Sequence, residues 1–273
     1  MNDKEVIAAA YDKGVGEEYN RLVSTPLFEA EFILISELLE KYIKNGSTVI
    51  DIGAGPGRYA EFLLNKNCNV GLVDLSAKSL EAFNNRISND KKENILFSKV
   101  SCATLLPFIK SNIADAVLLM GPLYHLTECE ERTKAIAEAF RILKPNGVLF
   151  AVFMSTFQKP HFHEDGETHT ICCSDYVKQL LRDSITTITF QGYDVPQYRC
   201  LPDVAKDIIE QEGFGTIHLR NIEGTGVNLT SNELEKINDY SSKQKLFSSL
   251  RNTCEDESLL GYTHQFLYVG RKI

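Results

Sequence analysis

Val49 to Tyr59 reads VIDIGAGPGRY. An apolar, β-branched run passes directly into a cluster of glycines, and a helix-forming segment follows. A backbone needs that order to come close to a ligand. Gly53 and Gly55 permit a tight turn with no Cβ in the way. The helix N-terminus beyond them offers free amides and a partial positive charge. Two carboxylates flank the turn: Asp51 lies inside the end of the first strand, and Asp74 closes the next apolar run, where a carboxylate can accept both hydroxyls of a ribose. The spacing separates two ligand classes. A dinucleotide loop carries its third glycine three residues after the second; here Arg58 stands there, and the third glycine is Gly57. Asp51 would repel a pyrophosphate, and suits a ligand with a positive centre and an ammonium group. Both features argue against a nicotinamide-dependent oxidoreductase, the first alternative.

A second set of residues follows the apolar run Ala114 to Met120. Ligands of parallel sheets sit beyond the carboxyl ends of the strands, so Met120, Gly121, Tyr124 and His125 face such a ligand. An imidazole titrates near ~6.5. His125 is therefore read as a base or acceptor ligand, or else as a hydrogen-bonded His capping the next helix. Tyr124 is read as packing or catalysis.

The surrounding pattern supplies the scaffold. Pro26 to Tyr42 repeats apolar residues three and four apart, and Asn45-Gly46 ends that helix. Ser47–Ile52, Asn69–Val73, Ile95–Val100, Ala114–Met120 and Gly147–Met154 read as strands. Helices are expected from Arg58, Lys78 and Glu130, with a turn at Lys144–Gly147. Strands and helices alternating at this pace mean right-handed βαβ units and a parallel sheet. Ser155 to Tyr198 is polar, with a helix expected only at Asp175–Arg182, and reads as an insertion over the sheet; Tyr193 and Tyr198 could line an acceptor pocket. Thr216–Ile222 and Phe266–Arg271 are the sixth and last strands. No repeat or linker divides the chain, so one domain is expected over 1–273, with a helical arm at 1–46 and a lid insertion at 155–200.

VIDIGAGPGRY, VDLS at Val73 to Ser76, ADAVLLMGPLYHL and FRILKPNGVLF together resemble the class I S-adenosylmethionine-dependent methyltransferases over roughly Ser47 to Met154. The resemblance implies an α/β fold: a Rossmann-like, doubly wound, seven-stranded sheet whose last strand runs antiparallel. It implies S-adenosylmethionine as methyl donor and S-adenosylhomocysteine as product. Asp51, Gly53, Ala54 and Gly55 would hold the methionine part, Asp74 the ribose, and Leu75 would pack on the adenine. Many members carry an acid after the third strand; this chain has Ser101-Cys102-Ala103, with Cys102 in the acid's place. The adenine contact then falls to Ser101 or to backbone. The resemblance also implies an N-terminal arm folded over the cofactor, where Tyr11 or Tyr19 shields the methyl donor and touches the acceptor; ordinary helix packing is equally open.

Composition narrows the partners. The 273-residue chain has a net charge of −8, and its Lys and Arg are scattered, which makes nucleic acid an unlikely partner. Apolar runs are too short for a bilayer, and no signal segment is evident. Seven cysteines at irregular spacing suit reduced thiols in a cytoplasm. His161, His163, His169, Cys172 and Cys173 lack the regular spacing of metal ligands, so no metal is expected. The expectation is methyl transfer to N or O of a small-molecule acceptor, driven mostly by proximity and alignment. A homodimer and a non-catalytic S-adenosylmethionine-binding protein are kept as options.

Overall fold

The computed structural model describes residues 1–156, 184–224, 226 and 229–273. Three helices come first: α1 (Asp3–Lys13), α2 (Val15–Ser24) and α3 (Pro26–Tyr42). Asn2 opens α1 with a reciprocal capping box to Glu5, which satisfies two of the first-turn amides. Thr25 caps α3 through its hydroxyl, and Pro26 takes the first helical position, where a missing N–H costs nothing.

The next elements alternate: β1 (Thr48–Ile52), α4 (Arg58–Asn65), β2 (Asn69–Asp74), α5 (Ala77–Arg86), the short α6 (Asn89–Lys92), β3 (Ile95–Val100), β4 (Ala114–Leu119), α7 (Cys129–Ile142) and β5 (Leu143–Ser155). β1 pairs in parallel with β2 and β4, β2 with β3, and β4 with β5. β6 (Ile185–Phe190) and β7 (Tyr193–Cys200) follow, then a helix at Pro202–Gln211, β8 (Phe214–Asn221), helices at Ser231–Glu235 and Tyr240–Thr253, and β9 (Gln265–Lys272).

β9 runs antiparallel between β5 and β8. Within a nine-stranded sheet that also takes in β7 and β6, the path β3-β2-β1-β4-β5-β9-β8 is the expected seven-stranded, Rossmann-like arrangement with its last strand reversed. Alternate residues of β1 feed two cores. Ile50 and Ile52 pack on the α7 side with Ile136 and Ile142. Val49 packs on the other face with Leu38 of α3, Leu63 of α4 and Phe83 of α5. The expected turn at Lys144–Gly147 is an excursion within β5: Leu143 pairs with Ala114, Val148 with Ala116, and Asn146 takes a φ of 62°.

Two strands depart from the expectation. β6 and β7 form an antiparallel hairpin inside the segment read as a polar lid. Thr-rich β6 and a β7 interrupted by Pro196 carry a poor strand signal. The hairpin closes on Gln191-Gly192, with φ of 55° and 81°, the two left-handed residues of a tight hairpin turn. β7 joins the carboxyl end of β5 through Met154 and Ser155. Its tip reaches back to the N-terminal arm, where a Cβ on Gly14 would lie 2.5 Å from the Phe190 ring. Only glycine lets the ring settle there. The helix expected at Asp175–Arg182, and His161, His163, His169, Cys172 and Cys173, lie outside the described residues. No helix of the described residues is long and apolar enough to cross a membrane.

Candidate functional site

The carboxyl ends of β1, β2 and β4 form the floor of a cavity of about 540 Å³. Backbone pairing fixes that floor. Gly53 N and Ala54 N both donate to the Val73 carbonyl, at 2.7 and 3.1 Å. Gly55 N donates to one Asp74 oxygen, and Ser76 N to the other, both at 2.7 Å. Gly53 has a φ of +78°, and a Cβ there would lie 2.4 Å from Pro122; the turn therefore lies against the end of β4. Among the described residues, no atom beyond Gly55 and its chain neighbours lies within 4 Å of the position of a Cβ on Gly55, whose φ is +53°. That space belongs to the cavity, which Asp51, Gly53, Ala54 and Gly55 all line.

The floor is acidic. Asp51 is 3% exposed. Burial, with the negative charge of Asp74 second, pushes its carboxyl up to about 7. Burial also raises Asp74, against the Ser76, Gly55 and Leu75 amides that favour its charged form. Two desolvated carboxylates close together stabilise a cation lodged between them. Beyond Asp74 the cavity runs past Leu75, Ser101, Cys102 and Ala103, and on its β4 side past Met120, Gly121 and Tyr124. The Cys102 thiol sits 3.2 Å from the Thr104 hydroxyl.

The roof is α1 and α2. Lys4, Ile7 and Tyr11 line the cavity from α1, and Glu18, Arg21 and Leu22 from α2. Each set repeats at helical spacing, the signal that identifies one face of a helix; of these six only Tyr11 is an expected site residue. Arg21 donates from Nε to Glu18 (3.2 Å) and from a terminal nitrogen to Glu31 (3.1 Å). Despite the cost of burial, the two glutamates hold its guanidinium firmly protonated. Burial raises Glu31, with Arg21 opposing.

Tyr11 and His125 meet across the cavity. His125 Nδ1 lies 3.3 Å from the Pro196 carbonyl, which can only accept, so Nδ1 carries the proton. Nε2 is then an acceptor, and the Tyr11 hydroxyl donates to it at 2.9 Å. Burial lowers His125 to about 4, the Pro196 bond opposing, so the ring is neutral at pH 7. The next helix, α7, is preceded by Glu128, and His125 does not cap it; its partners are the roof and the hairpin. β7 holds this segment a second time, where Tyr198 N donates to the Tyr124 carbonyl at 2.7 Å. The Tyr124 hydroxyl is raised mainly by burial.

Tyr19 was expected beside the reaction and does not line the cavity. Its hydroxyl donates to Glu61 at 2.9 Å, and its ring lies between the guanidinium groups of Arg58 and Arg86, at 4.1 and 3.8 Å. Two cations and a carboxylate on α4 and α5 direct it outward. Tyr193 and Tyr198 do not line the cavity either: Tyr193 packs with Ile7 and Val195, and Tyr198 lies under Arg132. Sequence reasoning passed over Tyr59. It and Arg58 line the cavity from the first turn of α4, and the Tyr59 hydroxyl and Arg58 Nε are buried without a hydrogen-bond partner among the described residues. Such atoms call for a ligand or a water. His264 pairs with buried Glu223, in keeping with a structural role.

The sheet is of the Rossmann-like methyltransferase type, and residues 49–147 match the family model described as a methyltransferase domain. That match and the sheet order are consistent with the class I S-adenosylmethionine-dependent methyltransferases. It is 26% identical to an uncharacterized protein of Methanocaldococcus jannaschii over 256 residues, covering 89% of this chain and 84% of that one. Over 125 residues, 45% of the chain, it is 32% identical to a tRNA (carboxymethyluridine(34)-5-O)-methyltransferase of Arabidopsis thaliana, but spans only 28% of that protein's length. The solved 1,6-didemethyltoxoflavin-N1-methyltransferase of Burkholderia thailandensis, with 1,6-didemethyltoxoflavin and S-adenosylhomocysteine bound, shares the fold at a TM-score of 0.56 and 14% identity, covering 98% of this chain and 88% of that one. The match over residues 49–147 runs against the nicotinamide-dependent alternative.

Proposed function

We propose that residues 1–273 act as one domain that binds S-adenosylmethionine in the roofed cavity and passes its methyl group to N or O of a small acceptor. The observation that carries this reading is the pair of carboxylates, buried Asp51 and half-buried Asp74, beneath an open glycine turn. A ligand with an ammonium, a sulfonium and a ribose answers that set. Asp51 faces the positive centres. Asp74 keeps lone pairs for the ribose after accepting Gly55 N and Ser76 N. Arg58 Nε and the Tyr59 hydroxyl supply donors for the cofactor's carboxylate or for the acceptor. Leu75, Ser101, Cys102 and Ala103 surround the adenine, and Met120 and Gly121 the methionine chain.

When bound, the cofactor supplies a methyl carbon on a sulfonium whose leaving thioether is neutral. The protein's task is then alignment and the exclusion of water. Tyr11, held by neutral His125, places a phenol oxygen over the cavity; that oxygen still has lone pairs with which to orient an acceptor N–H or O–H. His125, near 4 and engaged by Tyr11, acts through Tyr11 as an orienting group. The roof of α1 and α2 supports a small acceptor, because a bulky chain would have to displace it. A cytoplasmic setting, which keeps the free thiols reduced, belongs to the same proposal.

A nucleic-acid acceptor is the second reading. The plant relative is named for tRNA, and the expectation that nucleic acid is unlikely finds no support in the relatives. Calorimetric titration with S-adenosylmethionine, S-adenosylhomocysteine and NADH tests the cofactor: micromolar binding of the first two and silence from the third is expected. Label from methyl-tritiated S-adenosylmethionine is then followed into pooled metabolites and into total tRNA. Incorporation into the tRNA alone overturns the small-acceptor reading.

A further inference from the structure

α1 touches the floor of the cavity at one point that the cofactor contacts leave unexplained. Asp12, in its last turn, reaches the start of α5. One Asp12 oxygen accepts from the Ser76 hydroxyl at 2.6 Å and from Lys78 N at 3.1 Å. Ser76 is fully buried, and its Oγ also accepts from Ser79 N at 3.0 Å as the cap of α5. Its backbone N donates to Asp74 at 2.7 Å, and the other Asp74 oxygen takes Gly55 N. A continuous path of hydrogen bonds therefore runs from the roof helix through Ser76 and Asp74 to the glycine turn.

We propose that Asp12 is a positioning residue that ties closure of the α1 roof to the ribose-binding end of β2. The inference rests on the S-adenosylmethionine reading of the cavity. A serine hydroxyl has one hydrogen. Given to Asp12, it leaves a lone pair facing Ser79 N, and the backbone from Asp74 to Lys78 is pinned from both sides. A carboxylate at the N-terminus of α5 also meets the favourable end of the helix dipole. Without Asp12 the Ser76 hydroxyl is free to turn, Lys78 N loses its acceptor, and α1 loses the tie nearest to Asp74. The rest of α1 has independent support: Ile7 and Ala10 pack with Val195, Ile188 and Phe190 of the hairpin. Removing Asp12 therefore loosens the roof without unfolding it. A ligand under α1 leaves when α1 lifts, so the loss falls on residence time.

The test uses S-adenosylhomocysteine as probe on the full chain. Wild type, Asp12→Ala, Ser76→Ala, the double variant and Asp12→Asn are compared by calorimetry, and exchange of α1 amides is followed with and without the probe. Each alanine is expected to weaken binding about tenfold, the scale of one charge-assisted hydrogen bond. The double variant is expected to be no weaker than the worse single, because both break one path. Asp12→Asn keeps an oxygen acceptor and is expected to recover most of the affinity. The probe slows α1 exchange in wild type and no longer does so in Asp12→Ala. Asp12→Ala within twofold of wild type, losses that multiply to about a hundredfold in the double variant, or a lowered melting temperature with unchanged affinity each overturn the inference. Wild type that ignores the probe overturns the cofactor reading itself; a binding wild type with an indifferent Asp12→Ala overturns the positioning role alone.

Discussion

Below the cavity, Gly53, Ala54 and Gly55 hang on the Val73 carbonyl and the Asp74 carboxylate, within neighbouring strands that pair residue for residue from Thr48 to Ile52. Above it, α1 and α2 reach the body of the protein through side chains: Lys4 to Glu131, Tyr11 to His125, Asp12 to Ser76, Tyr19 to Glu61, Arg21 to Glu31. Backbone pairing is cooperative with the whole sheet. Side-chain ties break singly. The roof can therefore lift on the timescale of local opening, while the floor opens only with the fold. A transferase that must admit two ligands and release two products gains from that division. It also predicts that floor substitutions abolish binding and roof substitutions grade it.

The largest effect is expected at the floor. Asp74→Ala removes a charged acceptor from two amides and, on the proposed reading, the ribose partner from the cofactor. S-adenosylhomocysteine affinity should fall about a hundredfold or more, given ~1.5–3 kcal/mol for each hydrogen bond to a charged group. Calorimetry reads the loss, and a cooperative urea melt checks that the fold persists. A variant that still binds within tenfold removes Asp74 from the site and with it the contrast between floor and roof.

Asp51 gives the next largest effect and a sign. Its folded carboxyl is pushed up to about 7 by burial and by Asp74, above the ordinary carboxylate value near ~4. The native state therefore binds the extra proton between those values, and this group's contribution to stability declines as pH rises through that window. Binding of a cation runs the other way, because it needs the ionised form. S-adenosylmethionine affinity is expected to fall about tenfold from pH 8 to pH 6, with proton uptake by the free protein. Asp51→Asn should flatten that profile. A steep profile surviving in Asp51→Asn would assign the titration elsewhere on the floor.

At the roof, Tyr11→Phe deletes one hydroxyl and leaves the ring packed on Phe190. His125 Nε2 then loses its donor. About a fivefold fall in turnover at saturating cofactor is expected, with a smaller change in cofactor affinity, since one neutral hydrogen bond is worth ~1 kcal/mol. A fall confined to cofactor affinity would make Tyr11 a lid contact only. Tyr19→Phe is the control, because that hydroxyl serves Glu61 outside the cavity.

The same division decides what the sequence disclosed. Floor signals are close in sequence: Asp51 precedes the glycine turn directly, and Asp74 ends the very next strand, 19 positions after Gly55, so the cavity-lining Asp51, Gly55 and Asp74 were legible before any coordinates. The parallel sheet followed from alternation and handedness, and its reversed last strand was implied by the family resemblance. The roof is a matter of long separations. Tyr11 and His125 are 114 positions apart, and the partner that fixes the His125 tautomer, Pro196, lies on a strand that its own proline disguised. Between the two open readings of Tyr19 the sequence could not choose for the same reason: a Tyr on an arm helix has no sequence mark for which face turns inward, and here its ring lies between Arg58 and Arg86, away from the cavity lining. Tyr59 was overlooked because its cue, an unpartnered buried hydroxyl, exists only in three dimensions.

The smallest effect tests whether the roof's grip is evenly spread. Lys4 and Glu131 meet at 2.5 Å where α1 begins, with side chains 39% and 31% exposed. The bond to Glu131 raises the Lys4 ammonium, with burial opposing. Solvent and salt screen a pair this open, and such pairs contribute ~0.2–1 kcal/mol at most. Lys4→Ala should therefore change S-adenosylhomocysteine affinity less than twofold, with even that difference fading at high salt. Asp12, at the other end of the same helix, ties to a fully buried serine and should matter several times more. If Lys4→Ala costs as much as Asp12→Ala, α1 lifts from its N-terminal end, and the point at which the roof governs ligand exit moves from the ribose end of β2 to the start of α7.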